Sequence, residues 1–360
     1  MLAPRTRALI GPAATAAALA TAAIVLALFL AAGGFDVPRA LGAMWDGSFG
    51  SGYAFTSATL VRATPLALAG LAVALAFRAG VLNVGAEGQL VAGAAAAAAM
   101  AVTVGPMVGR LALPLALAAG ALCGALWAGI AALFRRRFGV LEVISTIMLN
   151  FVAQYGVSYL VRGPLQEPTH VYPQTVELPA GALLPRLAGT RLHLGAAIAV
   201  AAAVLLWWAL SRTAAGFRVR AVGANPHAAA SAGLIDVAAV TSGAFLLSGA
   251  LAGLAGAVEV TGVTYVLYEN VSPGYGYTAI AVALLARLHP LAVIPAAVLF
   301  GALESGANAM QRDAGVPSVV AGVVEAVVVL AVLAANRAAE RRAGGAVLPD
   351  ETADALAPQA

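Results

Sequence analysis

Long apolar runs, recurring from one end of the chain to the other, constrain its fold more than any other feature. Ala, Leu and Val dominate stretches of about twenty residues, broken by short polar or arginine-bearing segments. A hydrocarbon core about 30 Å thick is crossed by roughly 20 apolar residues in a helix. Inside it every backbone N–H and C=O must be bonded within the protein, which leaves helices or closed barrels. The runs lack the alternation a barrel strand needs, so the fold class is all-α, a polytopic membrane protein. Composition agrees, with 62% of the 360 residues hydrophobic and 10% charged, against roughly a quarter charged in a soluble chain.

The runs place about ten spans, at 9–32, 56–77, 85–104, 111–134, 140–161, 191–210, 239–262, 278–288, 290–309 and 317–336. Arg5 and Arg7 before the first run give it the look of a signal peptide. It is too long for that and no clean cleavage site follows, so it reads as a membrane helix. The eighth run is too short to cross alone and is bounded by Arg287, His289 and Pro290. It is either a half-helix or the end of a longer span beginning near Gly274, and nine or eleven spans remain open.

The net charge of +4 comes from arginine alone, for the chain has no lysine. A Walker A loop needs a lysine to reach the nucleotide phosphates, so this chain is not itself a P-loop ATPase. With the N-terminus inside, thirteen arginines fall on the cytoplasmic side, among them Arg78, Arg135, Arg136, Arg137, Arg212, Arg218 and Arg220. Six fall outside and Arg62 lies within a span. The positive-inside rule then puts both termini in the cytoplasm. Five spans followed by five gives the parity of an inverted repeat, and each half holds a Gly-rich interruption, NVGAEGQ at 83–89 and SPGYGY at 272–277. Residues 1–337 form the membrane domain and 338–360 a disordered cytoplasmic tail. The outer loop 162–190 is punctuated by five prolines and reads as extended and irregular.

The cytoplasmic loop 211–238 is the most informative segment. Asn225 followed by Pro226 is a helix start, the Asn capping free N–H groups and Pro suiting the first position. Gly233 is a natural stop. The surface between them is mostly alanine, at 228, 229, 230 and 232, too small to build a core. Such a helix suits docking into another protein's groove, and a structured turn without a partner is the alternative.

Three stretches carry a family resemblance. Ala221, Gly223, Asn225, Ala228, Ala229, Gly233 and Leu234 meet the spacing A-x-G-x-N-x-x-A-A-x-x-x-G-L. It resembles the coupling-loop motif of ABC importer permeases for ribose-type sugars, branched-chain amino acids and nucleosides. FRAGVLNVGAEGQLVAGA at 77–94 and GYGYTAIAVALLARLHPLAVIPAAVLFGALESGAN at 274–308 resemble the nucleoside-type branch. Ala286 and His289 depart from its usual Gly and Asn.

The resemblance covers roughly 55–335 and implies a permease subunit with no catalytic chemistry and no cofactor of its own. It implies that ATP is hydrolysed on a separate ATPase subunit docked at Gly223, Asn225, Pro226, Ala228, Ala229 and Gly233. It further implies a second permease, identical or homologous, and an extracytoplasmic binding protein or lipoprotein that delivers a nucleoside or simple sugar.

Asn83, Glu87 and Gln89 are candidates for the translocation path, since an ionisable residue in a span costs roughly 2.5–3.5 kcal/mol at mid-depth unless it faces a cavity or partner. An interfacial position for Glu87 is the other reading. Glu142, Glu259, Glu304 and Glu325 leave open an ion-gradient-driven secondary transporter, and Arg62 is a candidate for a buried ion pair. A membrane enzyme would need converging polar groups, and none converge. The four histidines lack metal-ligand spacing, the lone Cys123 has no internal partner, and no basic–aromatic patch suggests nucleic acid.

Overall fold

The computed structural model describes residues 20–334 except 232, 234, 318, 321, 324, 325, 328, 329, 332 and 333. Helices in chain order are α1, described over Ala20–Ala32, α2 (Val37–Ser48), α3 (Gly52–Ala54), α4 (Leu60–Arg78), α5 (Ala86–Thr103), α6 (Gly105–Val108), α7 (Ala112–Phe138) and α8 (Glu142–Arg162). There follow α9 (Gly195–Arg212), α10 (Ala214–Ala224), α11 (Pro226–Ser231), α12 (Val237–Glu259), α13 (Tyr275–Leu285) and α14 (Pro290–Ala314). A π-helical turn over Phe55–Thr59 leads into α4, and another over Val260–Thr264 extends α12. No β-strand occurs among the described residues.

Seven described helices are long and apolar enough to cross a membrane, and each overlaps one of the expected spans. The run at 278–288 falls on the 11-residue helix α13, which has the length of a half-helix and starts at the Gly274 boundary of the longer form. The first span is described only from Ala20, the last only in part, and Leu234, Glu325 and the tail 338–360 lie outside the described residues. Besides the short turns α3 and α6, two longer helices were not expected. The polar, tryptophan-bearing α2 and the arginine-bearing α10 are helical without being apolar, so a search for membrane-length runs passes over both.

The chain divides into two compact units, residues 44–309 and a second one combining the chain ends up to 43 and from 310. In the described part of the second, α1 buries Ala22, Leu26 and Leu30 at four-residue spacing. In the larger unit α4 is buried almost throughout, as a helix apolar on every face should be. Helix α7 instead buries one line of small residues, Ala116, Gly120, Gly124, Ala128 and Ala131, while Leu115, Leu122, Leu126 and Leu133 stand exposed. That division is what lipid on one side and helix on the other demand. Lipid gives apolar side chains no drive to pair, so helices associate where small residues let backbones approach.

The closest approach joins α5, α7 and α12. A Cβ on Gly253 would lie 2.8 Å from the Gly124 Cα and strike the carbonyl of Gly120. The small-residue spacing at Gly249, Gly253 and Gly256 is therefore a packing device. Beyond α8, the connection 163–194 has one short 3₁₀ turn, Ala180–Ala182. It laces onto the segment after α12, with Thr175 N–H donating to Leu267 O and Leu178 N–H to Tyr265 O, both at 2.9 Å.

The packing yields a direct expectation. Gly253→Leu should abolish recovery of monodisperse protein from detergent, read by size exclusion. Gly243→Leu, on the same helix with nothing within 4 Å of its would-be Cβ, should be recovered like the parent.

Candidate functional site

Two interrupted helices begin against each other. The first is α5, whose opening N–H groups lack intrahelical acceptors. Asn83, fully buried, accepts from Gly85 N–H at 2.9 Å. Its amide donates to Gln89 Oε1 and to Ser248 Oγ, each at 2.9 Å. Gln89 returns a bond to Asn83 Oδ1 at 3.0 Å, and Ser248 donates to the Ala72 carbonyl at 2.7 Å. Asn150 on α8 supplies the other cap, accepting from Gly88 N–H at 2.8 Å and donating to Val84 O at 3.1 Å.

The second is α13. Gly274 enters it at φ 102°, a conformation only glycine takes at little cost. Ser272 Oγ accepts from the N–H groups of Gly274 and Tyr275 at 3.2 and 3.1 Å. The next N–H, of Gly276, donates to Glu87 Oε2 at 2.7 Å. A Cβ on Gly276 would run into the backbone of Glu87 and lie 2.7 Å from the Ala86 carbonyl carbon. The two Gly-rich interruptions, 189 positions apart at this bond, thus form one junction, and a carboxylate stands where two positive helix ends converge.

Beside this junction lies a cavity of about 270 Å³, with Glu87, Asn150, Gln154, Asn270, Ser272 and Tyr277 on its wall. Asn150 Nδ2 also meets the Tyr277 hydroxyl at 3.3 Å, and Gln154 donates to Asn270 at 2.8 Å. Next along the same loop, Glu269 is held by Arg162 Nε at 2.6 Å and by the Ser158 hydroxyl. Those two bonds, Arg162 first, keep the Glu269 carboxyl down at about 2, charged throughout the physiological range. Of the residues singled out for a path, Glu87 faces the cavity, whereas Asn83 and Gln89 lie behind it and hold the start of α5. Asn150, Gln154, Asn270 and Tyr277 were not anticipated. The signal for the first two was there, since amides within an otherwise apolar span are costly unless bonded.

The loop 211–238 forms α10 and α11. Asn225 caps the latter, accepting from Ala228 N–H at 3.0 Å, and Gly233 follows at φ 72°. Ala229 is buried, while Pro226, His227, Ala228 and Ala230 are exposed. Gly223, at the end of α10, is pressed against the end of α4. A Cβ there would collide with the Arg78 carbonyl and sit 3.3 Å from Gly80 N. From Gly80 the chain needs only the connection 81–85 to reach the start of α5 and Glu87.

Arg62 finds its partner in Glu304 at 2.5 Å. Glu259 is 3% exposed, and its Oε2 has no hydrogen-bond partner among the described groups. No cluster of three or more His, Cys, Asp or Glu suited to a metal occurs among the described residues.

Such an assembly of spanning helices, with a polar cavity at a junction of interrupted ones, defines a transport protein. Residues 55–333 match the family of the permease component of branched-chain amino acid transport systems, and the chain belongs to that family. It is 39% identical over 309 residues to the guanosine ABC transporter permease protein NupP of Bacillus subtilis, covering 84% of this chain and 88% of that one. It is 38% identical to the glucose ABC transporter permease protein TsgB13 of Haloferax volcanii, over 82% of this chain and 80% of the other. To the nucleoside ABC transporter permease protein NupB of Lactococcus lactis it is 29% identical, over 75% and 77%. No solved structure matches the chain. It is an ABC permease, a multi-pass protein of the cell membrane.

The caps can be tested. Asn150→Leu strips partners from Gly88 N–H and Val84 O, a loss of about 1–3 kcal/mol for each buried group left unbonded. The variant should melt clearly below the parent in the same detergent. Asn150→Asp keeps the acceptor for Gly88 and should fall between.

Proposed function

We propose that this chain forms the translocation path of an ATP-driven importer for nucleosides and related ribose-containing solutes. The observation that carries the reading is the polar cavity between α5, α8 and the start of α13. Its volume of about 270 Å³ lies just below the roughly 300–1,000 Å³ common for small-molecule sites. Glu87 can accept from sugar hydroxyls, while the amides of Asn150, Gln154 and Asn270 both donate and accept. Tyr277 adds a ring face. That mixture suits a solute carrying several hydroxyls and a heterocycle. The names of the relatives point to the same classes, nucleosides first and simple sugars next.

In this reading ATP is bound and hydrolysed by a separate subunit, and this chain binds no cofactor. The ATPase docks on the exposed face of α11, with Asn225, Pro226 and Gly233 setting its ends and Ala229 seating it. A second permease completes the path, and an extracytoplasmic binding protein or lipoprotein supplies the solute. The chain has ten spans in an inverted five-plus-five arrangement with both termini in the cytoplasm. That arrangement would bring α5 and α13 to their junction from opposite faces. Motion of the ATPase reaches the cavity through backbone contacts, from α11 to Gly223, across to Arg78 and Gly80, and along the connection to Glu87.

The test is uptake of radiolabelled guanosine by the complex of this chain with its co-purifying ATPase and binding protein in proteoliposomes. ATP-dependent uptake is expected. Ala228→Trp should lose the ATPase in a pulldown. Gly223→Val should keep the ATPase and its hydrolysis while losing most uptake. Uptake by the purified chain alone, under a proton or sodium gradient, would overturn the proposal.

A further inference from the structure

A second cavity, of about 350 Å³, lies between the end of α7, the start of α8 and the first turns of α12. It shares no residue with the first. Its wall grades from apolar to basic. Val81 and Phe245 are buried, at 2% and 1% exposure. Thr241 and Ser242 are half-buried, and Arg135 and Arg136 are exposed. Glu142 binds Arg135 at 3.2 Å and also accepts from Leu82 N–H at 3.4 Å. The carboxylate therefore offsets one guanidinium and leaves Arg136 and Arg137 as excess positive charge.

The surroundings say which kind of anion could reach the rim. Leu133, Phe138, Leu141 and Ile144 are each more than half exposed, and the rings of Phe134 and Phe138 meet edge to face at 6.1 Å. So much apolar surface beside three consecutive arginines is stable at the headgroup boundary of a bilayer, where aromatic and basic residues collect. A small hydrated anion would answer the arginines but not the apolar floor. A molecule with a negatively charged head and an apolar chain answers both, and basic pockets between membrane helices are suited to it.

We propose that this cavity binds one anionic phospholipid, its headgroup at Arg136 and an acyl chain against Val81 and Phe245. The inference does not depend on which solute the protein carries, nor on which face of the membrane the cavity opens to. Val81 belongs to the connection between α4 and α5, so a bound lipid braces the segment that joins Gly80 to Glu87.

The experiment measures thermal unfolding of delipidated protein in mild detergent. Phosphatidylglycerol, phosphatidylcholine or inorganic phosphate is added to the parent and to three variants. Phosphatidylglycerol should raise the melting temperature of the parent well beyond phosphatidylcholine, and phosphate alone should not. In Arg136→Gln, an exposed change that leaves the fold intact, apparent affinity for phosphatidylglycerol should fall roughly fivefold, the equivalent of one arginine–headgroup attraction. Ala132→Trp, which fills the cavity, should remove the effect. Arg212→Gln, at the end of another span, should keep it. An equal rise with phosphatidylcholine, an equal rise with phosphate, or an undiminished rise in Arg136→Gln would overturn the proposal.

Discussion

The polar cavity of this membrane domain depends on two helix starts satisfying one another. A helix leaves its first N–H groups unbonded, and within a bilayer no water is at hand to bond them. Interrupting a helix there is tolerable only where protein supplies the missing acceptors. At α5 they come from Asn83 and Asn150, and at α13 from Ser272 and Glu87. Because Glu87 belongs to one helix and caps the other, neither start can move without the other. The cavity beside them is a consequence, since polar groups gathered to cap helices also make a polar wall.

The rest of the larger unit holds this junction in place by close backbone contact. Small residues on α5, α7 and α12 allow it, and the large apolar residues Leu115, Leu122, Leu126 and Leu133 of α7 are turned outward. The pattern recurs at the other end of the proposed relay, where Gly223 meets the end of α4 without an intervening side chain. Contacts between backbones have little slack. A small displacement of α10 must be taken up by the connection at 79–85 or passed on to α5, and the proposed coupling rests on the second outcome.

How much of this was legible in the sequence divides along physical lines. Spans such as α4 and α12 announce themselves, because membrane thickness fixes the length of an apolar run. The Asn225–Pro226 start of α11 was equally readable, since capping is a local property. Helices α2 and α10 lack membrane length, and the caps that start them, Asp36 accepting from Arg39 N–H and Thr213 accepting from Gly216 N–H, are easily passed over beside the apolar runs. The cavity was half readable. The Gly-rich interruptions and Glu87 stood out, but nothing local says that residues 87 and 276 meet. The role of Asn150 depends on an N–H 62 positions away. Asn83 and Gln89 illustrate the converse, polar groups whose chemistry suits a path and which here bond each other at the start of α5.

The proposed path through the Glu87 cavity is tested most directly by thiol protection. Gln154→Cys is placed in a Cys123→Ser background, in the transport-competent complex, and labelled with a membrane-impermeant thiol reagent. Guanosine should slow labelling at position 154 and leave a control in the exposed connection after α8, Val171→Cys, unchanged. A complex that imports guanosine while position 154 labels at the same rate with and without it would put the path elsewhere and contradict the account.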